Sequence, residues 1–172
     1  MLDAAEQCRL FDEIESISPE SRPFDIRLDA LAIEGLEIKD LLLNWQQQSR
    51  LEWWQAGPFN DLAAVVHHAL LLYHCRNFTY YSCWITRAVP QLHQAEVDKH
   101  VAAILDLSQR LLSDTYVPAV LLLFPLRMAG AYVSEINAQN KVLGSLREIR
   151  RKGFIVSDEI EVDLRQLWQE DN

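Results

Sequence analysis

The stretch richest in reactive side chains is residues 67–84, where three histidines, two cysteines and several aromatic rings sit in an apolar run. Histidine titrates near neutral pH and ligates metals, and a cysteine of lowered pKa is a nucleophile. The spacing argues against both uses. Metal ligands on one helix need to be three or four residues apart so that they share a face. His67 and His74 are seven apart, and no two histidines stand at i, i+4. Glu96 and His100 do have that spacing, but two ligands do not make a site. No metal and no cofactor is therefore expected. Cys75 follows His74 directly, and adjacent helical residues point apart, so they form no dyad. There is no Gly-x-Ser-x-Gly elbow and no phosphate-binding glycine loop, so no catalytic residue is assigned.

A second feature is Arg127, which lies in the apolar segment Leu121-Leu122-Leu123-Phe124-Pro125-Leu126-Arg127-Met128. A guanidinium there must pair, reach solvent or line a cavity. Pro125 lacks an amide donor, crowds the carbonyl of Leu121, and predicts a kink in its helix. Kinks open space between helices. If the helix over 67–84 faces this one across an apolar pocket, then Tyr73, His74, Tyr81 and Trp84 supply aromatic and polar tips and Arg127 holds an anionic group. The competing account is a filled core with Arg127 turned outward.

Such residues need a scaffold, and the composition supports one. The chain has 172 residues, 49% of them hydrophobic, which suits a single domain, 1–172, with its own core. Its formal net charge is -9, unsuited to phosphate backbones or anionic lipid. Three cysteines cannot all pair within one chain, and Cys8, Cys75 and Cys83 match no zinc motif. Free thiols, no signal peptide and no apolar run of membrane length lead to the expectation of an intracellular protein.

Periodicity predicts an all-α array of about seven helices packed as antiparallel neighbours. Residues 1–35 read as a helix over 2–17, a Ser-Pro-rich break, and an irregular stretch over 24–35. A helix follows over 36–54. The next is N-capped by Asn60 or Asp61 and is apolar nearly all round. Beyond Pro90 a clean helical period runs through Val97, Val101, Ile104, Leu105 and Leu111. Ser113 or Asp114 is placed to cap the Pro125 segment. Arg150, Arg151 and Lys152 followed by Gly153 form a helix stop, and Ser157 is placed to cap the last helix. Trp53-Trp54 and Tyr80-Tyr81 default to packing.

Three stretches between residues 67 and 168 carry a resemblance. They are His68-Ala69-Leu70-Leu71-Leu72-Tyr73-His74-Cys75-Arg76, then Phe124-Pro125-Leu126 with Ala129-Gly130, then Val142 to Leu146 with Gly153-Phe154 and Leu164 to Trp168. In order and spacing they resemble the C-terminal part of the fungal-specific transcription factor regulatory domain of zinc-cluster regulators. The six-cysteine zinc cluster of that family has no counterpart in this sequence. The resemblance implies an α-helical regulatory or interaction domain that senses a small molecule or partner in transcriptional control, in the nucleus, with homodimerisation as one mode. It does not imply direct DNA binding. One alternative is a metal-free enzyme or binding protein for a small secondary metabolite, which would be cytoplasmic. The other is a structural dimerisation module. Titrating the chain against duplex DNA at physiological salt should give no sequence-selective binding below the micromolar range, and such binding would contradict the acidic-surface reading.

Overall fold

The computed structural model describes residues 16–18, 20–21, 25–52, 57–80, 82–114 and 116–170. Among them are six α-helices: α1 (Ile26–Glu52), α2 (Pro58–Tyr80), α3 (Gln94–Asp114), α4 (Leu123–Gly130), α5 (Ile136–Arg151) and α6 (Val156–Glu170). Two 3-10 turns, Ser82–Trp84 and Ala119–Leu122, complete the regular structure, and no described residue is in a strand. The all-α class is as expected. The helix expected over 2–17 lies outside the described residues, apart from a turn at its last two positions. Contacts divide the chain into two compact units, Met1–Leu43 with His74–Gln91, and Asn44–Tyr73 with Leu92–Asn172.

In the smaller unit, most of the stretch read as irregular over 24–35 is the start of α1, from Ile26 onward. Asp25 sets it: its carboxylate accepts the Arg27 amide at 3.0 Å, and its carbonyl accepts the Leu28 amide at 3.1 Å. The side-chain bond from Arg27, above all, holds the Asp25 pKa down at about 2. Leu28, Leu31 and Ala32 then bury at helical spacing against Phe78, Cys83, Trp84 and Val89. Gly35, at the end of that stretch, is a packing residue. A Cβ there would run into the Phe78 ring. Arg87, nearly buried, ties the unit together. It donates to the Asp29 carboxylate at 2.7 Å and to the carbonyls of Cys83 and Asp25, each at 3.2 Å.

The larger unit holds the main core, with Val65, Ala69 and Leu72 of α2 against α3, α4, α5 and α6. Helix α2 starts at Pro58, before the expected Asn60 or Asp61 cap. The Gly57 carbonyl takes the amides of both, and proline's fixed φ suits a first helical turn. At the start of α3, Glu96 reaches back to accept the His93 amide at 2.9 Å. Ser113 caps no helix, since its hydroxyl donates to the Gln109 carbonyl one turn back in α3.

Pro125 makes no kink within a helix. The 3-10 turn Ala119–Leu122 gives way to α4 just ahead of it, so the proline lies in a first turn, where an amide would have no helical partner. The stop of α5 is as expected, and Gly153 takes φ +100. Its amide bonds to the Arg150 carbonyl at 3.0 Å and that of Phe154 to the Ile149 carbonyl at 3.3 Å, a Schellman closure. Ser157 is not the cap of α6. It is buried in the first turn and donates to the Phe154 carbonyl at 2.8 Å.

Helix α6 docks on the end of α4. The Trp168 indole donates to the Gly130 carbonyl at 2.9 Å, and Leu164 lies against the bare Cα of Gly130. A Cβ at Gly130 would stand 2.5 Å from a Leu164 methyl, whereas a Cβ at Gly144 on α5 meets nothing within 4 Å. Gly130→Ala should therefore cost about 1–3 kcal/mol by overpacking. Gly144→Ala should gain roughly 1 kcal/mol of helix propensity. Urea unfolding of both variants reads the contrast, and equal effects of the same sign would refute this packing.

Candidate functional site

The four described residues among the five singled out by sequence fall in both units. Tyr73 and Arg127 belong to the larger one. The Tyr73 ring, about half exposed, meets Phe124 edge-on with centroids 6.0 Å apart, so α2 and α4 do meet at this point. One turn on from Phe124, Arg127 points to solvent, 60% exposed, and pairs with Asp163 of α6 at 3.2 Å. The outward account of this arginine is the one the structure adopts. Its helix is short, and its stem leaves the buried face made by Leu126, Met128 and Ala129.

His74 and Trp84 belong to the smaller unit and flank the same ring, Phe78, at 5.3 and 5.0 Å. Nε2 of His74 donates to the Gly35 carbonyl at 2.8 Å in the tautomer that this acceptor requires. Burial chiefly, together with nearby Lys39, holds the His74 pKa below its usual 6.5, against the opposing pull of the Gly35 bond. Trp84 is a core residue, 3% exposed. Tyr81 lies outside the described residues. Cys75 and Cys83 are buried, and no group of three or more potential metal ligands occurs among the described residues.

Sequence reasoning missed a histidine cluster in the larger unit. Nδ1 of His68 on α2 and Nδ1 of His100 on α3 are 2.8 Å apart, with both rings buried. One must donate and the other accept, so at least one ring is neutral. His67 lies edge-on to His68 at 5.6 Å, and Trp45 stacks on His67 at 5.1 Å. Burial is the main force lowering the His100 pKa, with His67 and Lys99 adding to it and Glu96 opposing. The missed signal was a partner 32 residues away, which spacing along one helix cannot reveal.

The larger unit also presents an apolar patch. Leu70, Tyr73, Val120, Leu121 and Phe124 are each 38–46% exposed, and the Tyr73–Phe124 contact joins the α2 and α4 sides. A separate open groove between α3 and α5 has a volume of about 500 Å³.

The model of the fungal specific transcription factor domain matches residues 4–172, so the chain belongs to that family. The match reaches well beyond residues 67–168, which carry the resemblance in the sequence. It supports a regulatory role in transcription. Neither a curated protein nor a solved structure matches the chain. No described helix is long and apolar enough to cross a membrane.

The two lowered histidines set a pH dependence. Above about 6.5 they are neutral in both folded and unfolded chains; below it, the unfolded chain takes up protons that the folded one resists. Stability should fall between about pH 7 and pH 5.5, and the double variant His74→Gln, His100→Gln should show a flatter profile. Thermal melts across that range check this, and a wild-type melting point that rises on acidification would contradict it.

Proposed function

We propose that this chain is the regulatory part of a nuclear transcription regulator, and that it works by docking a protein partner rather than by reading DNA. The observation that carries the reading is the apolar patch centred on Tyr73 and Phe124. Isolated exposed apolar residues are ordinary, but a cluster joined by an aromatic contact marks an interaction surface. Aromatic rings supply most of the contact energy at such surfaces. Arg127 borders the patch one turn from Phe124, where its ion pair with Asp163 forms part of a polar rim. The acidity of the chain favours partners other than nucleic acid. The membership of the family supports the transcriptional setting.

Enzymatic work on a small metabolite is less favoured. His68 and His100 are engaged with each other and His74 with a backbone carbonyl, so their ring nitrogens already serve the fold. The test is a reporter assay with the chain fused to an unrelated DNA-binding module. The wild-type fusion should change reporter output. The pair Tyr73→Ser, Phe124→Ser should remove most of that change while helical content stays the same. Unchanged reporter output from a folded double variant would refute the patch as the partner surface.

A further inference from the structure

We propose that the groove between α3 and α5 is a binding site for an elongated organic anion with acidic groups at both ends. The site is separate from the Tyr73–Phe124 patch.

Charge is the first reason. The chain carries a net charge of -9, yet the groove is lined by three cations, Lys141, Arg151 and Lys152, and one carboxylate, Glu148. Glu148 is paired with Arg151, and Lys141 lies 3.9 Å from Asp106, a loose, exposed contact. No carboxylate partner is found for the Lys152 ammonium among the described residues. By contrast, the other arginines of α5 are spent on α6: Arg147 meets Glu161 at 3.1 Å and Arg150 meets Asp158 at 2.7 Å. The groove side of α5 thus keeps Lys152 without a carboxylate partner among the described residues and Lys141 with only a loose one.

Shape is the second reason. A volume of about 500 Å³ is the size of small-molecule sites. Leu105 and Leu112 of α3, each only 6% exposed, give it a narrow apolar strip, and the Ser145 hydroxyl supplies a neutral hydrogen-bonding group. Gly144 leaves the α5 side bare, and a Cβ there would meet nothing within 4 Å. A glycine inside a helix costs roughly 1 kcal/mol of propensity; here the open space shows no packing demand for it. Room for a ligand accounts for it.

Length is the third reason. Lys141 and Arg151 are ten residues apart on one helix, which places their Cα atoms about 15 Å apart along the axis. Cations at both ends of the groove match an elongated dicarboxylate better than a compact inorganic ion.

The probe is dodecanedioate, titrated calorimetrically into the full chain at low and high salt, with the matching neutral diol as control. Saturable one-to-one binding that weakens with salt is expected, with none for the diol. Lys152→Glu should weaken binding about tenfold or more, since a charge-assisted contact is lost and repulsion added. Gly144→Leu should fill the groove and abolish binding while leaving the melting temperature unchanged or higher. No saturable binding, equal binding of the diol, or binding untouched by both variants would each overturn the proposal. Gly144→Leu keeps the Tyr73–Phe124 patch intact, so these outcomes are independent of the reporter assay on that patch.

Discussion

The larger unit depends on a side chain that is missing. Gly130 ends α4 without a Cβ, and that lets α6 come close enough for Leu164 to lie on its Cα and for the Trp168 indole to reach its carbonyl. The bond and the packing reinforce each other, because a buried carbonyl left unpaired is costly and a methyl at Gly130 would push its donor away. From this junction α4 packs on α3 and α5 as well, although it is only eight residues long. Too short to be stable alone, it holds its shape through those neighbours.

The exposed features stand on that frame. Phe124 is on α4, so its edge contact with Tyr73 is fixed only as firmly as α4 is. The groove beside α5 is held open by a helix whose far face is locked to α6 through Val142, Leu146, Ile149 and two ion pairs. Buried apolar layers, rather than the exposed ion pairs, supply most of the stability, since exposed pairs contribute little. The smaller unit rests on a different device. Arg87 binds one carboxylate and two carbonyls beside a short apolar core, which stabilises a cluster too small to rely on burial alone.

Local chemistry was legible where one segment carries the whole signal. The stop of α5 is written in Arg150, Arg151 and Gly153, and the structure uses all three as anticipated. The period of α3 was equally plain in Val97, Val101, Ile104 and Leu105. Sequence failed where a residue's role depends on a distant partner. Gly35 closes a stretch that reads as irregular until Phe78 is seen against it, and Gly130 has no evident role until Leu164 is. Ser157 has the side chain of a cap but is buried in the first turn. Pro125 implies a kink only if its helix began earlier, and the preceding 3-10 turn removes that premise. Among the proposed site residues, the outward turn of Arg127 was legible as the competing account, whereas Tyr73, read as lining a pocket, is about half exposed. The engagement of His74 with Gly35 and of His68 with His100 was not legible, because both join residues more than thirty positions apart.

Native-state amide hydrogen exchange of the chain measures this dependence directly. Amides in the middle of α6 and in α4 should exchange together, with the highest protection in the larger unit, and Gly130→Ala should lower both by the same amount. Exchange of α6 amides at low protection, independent of α4, would contradict the account, because it would mean that α6 leaves without disturbing the frame.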